Sequence, residues 1–355
     1  MRWVKRLAAR RSTGLHSASG PWRLTIRRLR RDRWALGAAV VLAFVVFCSF
    51  AGGAIAHHFV HHSDIDQYPY AVDGNFKPVG PWAHVPDTFQ VRVNEYEQTL
   101  PPPKGTKTTL FVLGADGPLG RDELVRLLDG GKTSLEIGVF GMLVALLVGV
   151  PLGVLSGYFG GFTDTVVSRV TETIMAFPLI LFLVFASVRL ADTLEPIGWG
   201  SIVPQGVVLV GLMIGLFTWF YPARLVRAEM LTLRHAEYVD AARMVGASEG
   251  RIIRRHLVPH VVPALIVWGA IAIAVNILLE VGLSFVGVGV QAQTPTWGSM
   301  LSNVWGTIYQ PGRYDSKTYS SWQTILPTVA IFVTVAALNQ LSEGFRRALE
   351  PWSSR

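Results

Sequence analysis

The chain has 355 residues, of which 50% are hydrophobic and only 16% are Asp, Glu, Lys or Arg, against about 25% charged in an ordinary soluble domain. The apolar residues gather into blocks long enough to cross a bilayer, which excludes a two-domain cytosolic enzyme and points to an all-α, polytopic membrane protein. A single cysteine, Cys48, rules out an internal disulfide framework and a Cys-rich zinc site. The formal net charge of +8 raises nucleic acid or anionic lipid as partners, a choice decided by where the basic residues fall.

Residues 1–33 hold eleven Lys and Arg against one acid, Asp32, and the positive-inside rule makes them a basic cytoplasmic segment. The first predicted transmembrane helix covers 34–56. Its Ala54-Ile55-Ala56 resembles a signal cleavage site, but an apolar stretch of about 20 residues exceeds the roughly 7 to 15 of a signal core, so the block reads as a retained anchor. An exterior loop at 57–133 follows, rich in Pro and Gly, with acids outnumbering Lys and Arg; a loop of this length has a small subdomain of its own or a binding role. Its end, 121–128, has the helical spacing of a segment that can lie along the membrane interface before the chain turns inward.

Five more spans are predicted at 135–158, 166–188, 202–221, 262–281 and 325–341, making a five-helix core over 134–345 and a tail at 346–355. Six spans in all place both termini on the cytoplasmic side, together with the loop at 222–261 and its seven arginines. Basic residues therefore mark the cytoplasmic face and meet membrane lipids, and no nucleic-acid role is assigned. A second exterior segment, 291–321, holds Thr294-Pro295-Thr296-Trp297-Gly298, with Trp and Tyr residues suited to the membrane boundary.

The loop at 222–261 is the most informative stretch. From Glu237 and Tyr238 through Asp240, Ala241 and Ala242 the residues favour helix, and Gly246 can take the left-handed conformation that ends it. Ser248 is placed to cap a second helix running through Arg251 to Arg255, with Pro259 and Pro263 marking the return to the membrane. Small residues at Ala241, Ala242, Gly246 and Ala247 let another protein approach the backbone closely.

This stretch resembles the EAA loop of ABC importer permeases: Asp240-Ala241-Ala242, Gly246 and Pro259 fall at its intervals, with Asp240 for Glu, His256 for Ile and Val258 for Leu as departures. Leu113-Gly114-Ala115-Asp116, Leu119-Gly120-Arg121-Asp122, Gly157-Tyr158-Phe159-Gly160-Gly161, Ala176-Phe177-Pro178, the run 282–289 and Thr296-Trp297-Gly298-Ser299-Met300 extend the likeness. Together they are similar to the second permease subunit of dipeptide, oligopeptide and nickel importers. The resemblance implies a type I ABC importer permease fold with six transmembrane helices. It implies pairing with a homologous permease subunit, two ATPase subunits that bind ATP and Mg, and an extracytoplasmic solute-binding protein. The loop residues Glu237, Tyr238, Asp240, Ala241, Ala242, Gly246, Ala247, Ser248, Arg251 and Pro259 would then couple to the ATPases, and the chain itself would be non-catalytic and without cofactor. Short peptides are the implied cargo, with nickel or another small solute as the alternative.

Several signals point elsewhere. Gly246-Ala247-Ser248-Glu249-Gly250 satisfies the pattern of a serine-hydrolase nucleophile elbow, which needs a strand before the serine where this chain reads as helix. Gly131-Lys132-Thr133 looks like the end of a phosphate-binding loop, but Arg126 stands where that motif needs glycine. His57, His58, His61 and His62 pair at i, i+4 spacing near Asp64 and Asp66; with no complete ligand set they read as a polar exit from the first span, and no metal site is assigned. Glu172 and Glu280 fall in or at the ends of spans, where an ionised side chain either lines a translocation path or pairs with a cation or headgroup. Glu136 is placed in the interface. A secondary transporter would show inverted repeats, and the two halves show none.

Overall fold

Residues 21–60, 63–73, 77–88, 102–103, 105–194, 206–290, 294–308 and 321–349 are described by a computed structural model. Helix α1 (Pro21–Leu29) leads to α2 (Arg33–Phe47), whose first amides need acceptors. Asp32 supplies one, its carboxylate accepting from the Trp34 and Ala35 amides at 3.0 and 3.2 Å. A π-turn at Cys48–Gly52 passes the chain into α3 (Gly53–Val60), so the first apolar span runs Arg33–Ala56.

The segment after it folds on itself. Strands β1 (Ala83–Pro86) and β2 (Thr108–Phe111) pair antiparallel with Ala83 opposite Phe111. Strands β3 (Ala115–Asp116) and β4 (Arg121–Asp122) form a second, two-residue hairpin. Tyr68, Ala71, Val85, Phe111 and Ala115 make a small core beneath them. Gly120 closes the second hairpin at φ +65°, with its α-carbon so near the Tyr68 carbonyl that no side chain fits.

No separate interfacial helix exists at 121–128. Asp122 caps a single helix, α4 (Glu123–Phe159), through its carboxylate and the Leu124 and Val125 amides at 2.8 and 3.2 Å. The short amphipathic stretch and the span beyond it fuse across Gly130 and Gly131, which are packed on Thr296 and Trp297 too closely for a side chain, so the helix already begins at Glu123 within the stretch expected as loop to 133. At 1.5 Å per residue, α4 is about 55 Å long, well beyond the thickness of a hydrocarbon layer of about 30 Å.

Helix α4 is the central element. Glycines at 149, 153 and 157 let it press against α8 (Phe220–Leu233): a Cβ on Gly153 would lie 2.5 Å from the Ala223 carbonyl oxygen, and one on Gly157 2.7 Å from that of Arg227. Such small-residue rows substitute close backbone packing for a hydrophobic drive that lipid does not provide. Helix α7 (Val207–Thr218) continues into α8 through a turn at Trp219, giving one apolar span, Val207–Leu233.

The span expected at 166–188 is two helices, α5 (Gly161–Met175) and α6 (Leu179–Leu194), bent by 85° between them. Pro178 forces the break, because the residue before a proline is pushed out of helical geometry. After α9 (Glu237–Met244) come α10 (Glu249–Ile252), a π-turn at Ile253–Leu257 and α11 (Val258–Phe285), continuous over Glu249–Phe285. Helix α12 (Trp297–Ile308) and the last span, α13 (Trp322–Leu349), complete the described elements. Among the described residues, five helices are long and apolar enough to cross a membrane, or six when the bent pair α5 and α6 counts as one.

Candidate functional site

The loop between α8 and α11 is built on the end of α4. Val239 of α9 and Ile252 of α10 are fully buried with Val154, Tyr158, Val226, Met230 and Leu257, and Ala242 and Ala247 pack against the same cluster. Helix α9 ends in a Schellman motif: the Gly246 amide donates to the Arg243 carbonyl at 2.9 Å and the Ala247 amide to that of Ala242 at 3.0 Å. This closure needs φ +83° at Gly246, a conformation glycine adopts without strain.

A polar knot fastens the loop to α4. The Tyr158 hydroxyl donates to the Glu249 carboxylate and accepts from Arg243 Nη2 at 3.2 Å, while Arg243 Nη1 pairs with Asp240 at 3.2 Å. The Tyr238 ring stacks on His260 with centroids 5.6 Å apart, and burial pushes its phenol above the usual range. One turn away, Arg227 of α8 grips Asp164 of α5 with two bonds of 2.5 and 2.8 Å, and Ser156 of α4 donates to the same carboxylate at 2.5 Å. Three helices thus meet beneath the loop.

Its outer face is open. Glu237, Tyr238, Asp240, Ala241, Gly246, Ser248, Arg251 and Pro259 are exposed, whereas Ala242 and Ala247 are half-buried on the inner side. Met244 and Val245, 83% and 88% exposed, form an apolar tip that sequence reasoning missed; their place opposite the buried Val239 on the helix was the available signal. An exposed apolar tip on a rigid, fastened helix is suited to insertion into a partner's groove.

Two expectations about the loop are corrected. Ser248 stands at the N-cap position and its carbonyl accepts from the Arg251 and Ile252 amides at 2.9 and 3.0 Å, but its hydroxyl makes no cap bond. The second helix does not stop at Arg255: the prolines lie within a continuous helix, and the π-turn at Ile253–Leu257 makes room where Pro259 has no amide to donate. His256, the sharpest departure from the motif, is half-buried, and Leu257 beside it is fully buried.

The other candidates lie apart from this loop. No strand precedes Ser248, and Gly131-Lys132-Thr133 lies inside α4 as regular helix. His61, His62 and the side chain of His57 fall outside the described residues, and no group of three or more His, Cys, Asp or Glu able to hold a metal is found among those described. Glu172, 62% exposed on α5, pairs with Arg169 at 2.9 Å. Glu280 is fully buried in α11, where one carboxylate oxygen accepts from Ser284 Oγ and Thr296 Oγ1, both at 2.7 Å. Trp297 donates its amide to Ser134 Oγ at 3.1 Å, so α12 is pinned onto both α4 and α11.

At the opposite end of α4 lies an ion cluster not singled out in advance. Arg126, wholly buried, pairs with Asp116 at 2.6 Å and donates to the Asp64 carbonyl at 3.0 Å. Arg121 adds a second bond to Asp116 at 3.0 Å, and Glu123 is buried beside them. Burial pulls the Arg121 guanidinium below its ordinary value, with Asp116 opposing the shift. The cluster rivets the small β-core to α4 and explains the Leu113–Asp116 and Leu119–Asp122 runs as structural.

Comparison with known proteins gives two matches along the chain. The family described as binding-protein-dependent transport system inner membrane component matches residues 149–355, and the N-terminal TM domain of oligopeptide transport permease C matches residues 20–78. A glutathione transport system permease protein of Pectobacterium atrosepticum is 36% identical over 239 residues, covering 67% of this chain and 72% of that protein. An oligopeptide transport system permease protein of Haemophilus influenzae is 28% identical over 330 residues, 93% of this chain and 88% of its own length. For a dipeptide transport system permease protein of Alkalihalophilus pseudofirmus the figures are 26% over 340 residues, 95% and 91%.

Proposed function

The chain belongs to the binding-protein-dependent transport system inner membrane components, the permease subunits of ABC importers, and on that premise we propose that it carries short peptides inward, driven by ATPase subunits docked at the loop around α9. It is a multi-pass inner-membrane protein of the type I importer permease fold, non-catalytic in itself, that works with partner subunits. The peptide cargo is supported by the transport systems its relatives are named for.

In this reading both termini and the α8–α11 loop face the cytoplasm, as the arginine distribution favours. A homologous permease subunit lies alongside, two ATPase subunits hold ATP and Mg, and a solute-binding protein delivers cargo to the outer face. Glu237, Tyr238, Asp240, Ala241, Gly246, Ser248 and Arg251 frame the docking surface, with Met244 and Val245 inserted. Ala242, Ala247 and Pro259 support it from within or beside. Movement of α9 passes through Arg243 and Glu249 to Tyr158 and so to α4, which also contacts α7, α8 and α11. One element seated in two geometries couples two states of the spans. Glu172 and Glu280 serve Arg169 and the α12 anchor respectively, which supports pairing and burial over contact with cargo.

The observation that carries the proposal is the exposed Met244–Val245 tip on a helix fastened to α4. A photo-crosslinker attached through Val245→Cys, in a Cys48→Ser background of the whole importer, is expected to capture an ATPase subunit. The same label at the exposed Ile65, in the turn that precedes the β-core, is expected to capture none. Equal capture at both positions, or none at Val245, contradicts the docking assignment.

A further inference from the structure

Between Arg27 and Arg33 the chain holds five arginines and one acid, Asp32. That acid is occupied: it caps α2 and pairs with Arg347 of α13 at 2.8 Å. The side chains of Arg27, Arg30 and Arg31 are exposed and make no ion pair among the described residues. Together with Ile26 they line a cavity of about 360 Å³.

Two features fix the depth of this cavity. Arg30 and Arg31 lie within one turn of Asp32, where the apolar span begins, and Trp34 beside it is 76% exposed, as an aromatic at a membrane boundary is. Leu29 and Ala35 pack against Gly344 of α13, so the arginines are held at the mouth of two spans and do not swing on a loose tail. A cavity with three uncompensated guanidinium groups and one apolar side chain, at headgroup depth, matches an anion joined to an acyl chain.

We infer that Ile26, Arg27, Arg30 and Arg31 form a headgroup site for an anionic phospholipid of the leaflet that α1 faces. The guanidinium groups hold the phosphodiester and Ile26 meets the first methylenes. The occupant ties α1 to the membrane surface beside the contact with α13. The leaflet is cytoplasmic under the orientation proposed above; retention in detergent reads the site whichever leaflet it faces, so a failed retention assay and a wrong orientation are distinguishable.

The test uses the full chain, purified in mild detergent with an equimolar mixture of phosphatidylglycerol and phosphatidylcholine and weighed by native mass spectrometry. The chain is expected to retain phosphatidylglycerol selectively. Arg27→Gln/Arg30→Gln/Arg31→Gln is expected to lose about tenfold or more of that retention. The Lys triple at the same positions, which keeps the charge, restores most of it, and Lys77→Gln/Lys107→Gln/Lys132→Gln, with equal charge loss elsewhere, retains it. Equal retention of both lipids, unchanged retention in the Gln triple, or displacement of the bound species by millimolar inorganic phosphate alone overturns the assignment. So does a Gln triple that keeps its lipid but loses a co-purifying protein subunit, which would mark a protein occupant instead.

Discussion

Replacing Gly246 with alanine isolates the backbone from the packing. The residue sits at φ +83°, and a Cβ there would meet no atom within 4 Å, so the substitution adds strain without a clash. An L-residue in the left-handed helical region costs about 1–2 kcal/mol, which lowers the ratio of closed to open Schellman geometry about five- to thirtyfold. That geometry sets the direction of the Met244–Val245 tip, so the loss falls on docking rather than on folding of the spans. Asparagine tolerates the left-handed region far better than alanine. Gly246→Ala is therefore expected to lower co-purified ATPase subunit and ATP-dependent uptake by about an order of magnitude, with Gly246→Asn much closer to the parent and both variants unfolding at nearly the parent temperature. Indistinguishable alanine and asparagine variants, or a silent alanine, would refute the requirement for this turn.

Arg126→Met leaves Asp116 with Arg121 as its remaining cation and the Asp64 carbonyl without its donor, and is expected to cost about 1–3 kcal/mol; thermal unfolding in detergent, with proteolysis of residues 63–122 as a second readout, checks it. Gly153→Leu must force α8 from α4, since a Cβ alone lies 2.5 Å from the Ala223 carbonyl, and a loss of about 3 kcal/mol or more is expected in the same assay. Gly250→Ala, which meets nothing and lies on a helix, is expected to be neutral or to stabilise by up to about 1 kcal/mol. Ser248→Ala removes no cap bond and is expected to change stability and uptake by less than about 0.5 kcal/mol equivalent; a severe loss there would revive the hydrolase reading.

Much of the fold is legible in apolar block lengths, because a backbone in lipid must satisfy itself within each segment. The first apolar helix runs Arg33–Ala56, against the expected 34–56, whereas the last runs Trp322–Leu349, eight residues past the expected end at 341. What block lengths do not encode is direction: the count over 166–188 is that of a span, and only the geometry at Pro178 shows the 85° bend. Length patterns also miss fusion, since Gly130 and Gly131, poor helix formers by themselves, are held within one continuous helix by packing on Thr296 and Trp297. Within the loop, the Gly246 stop was readable because a left-handed turn has a residue preference, whereas the Ser248 cap was not realised on a helix of one turn. The Asp116–Arg121–Arg126 cluster is not legible in the sequence, where nothing in the spacing of these acids and bases shows that they meet. Burial alone turns them into one unit. The two membrane carboxylates illustrate the same limit: Glu172 and Glu280 look alike in sequence, yet one pairs on an exposed face and the other is enclosed by Thr296 and Ser284.

The most direct measurement is uptake of a labelled dipeptide or tripeptide into proteoliposomes holding this chain, its partner permease and the ATPase subunits, with the solute-binding protein outside. Uptake that requires ATP inside and the binding protein outside, and that falls about tenfold in Gly246→Ala while ATP hydrolysis by the isolated ATPase subunits is unchanged, is the expected result. Uptake by this chain in vesicles without the ATPase subunits would contradict it.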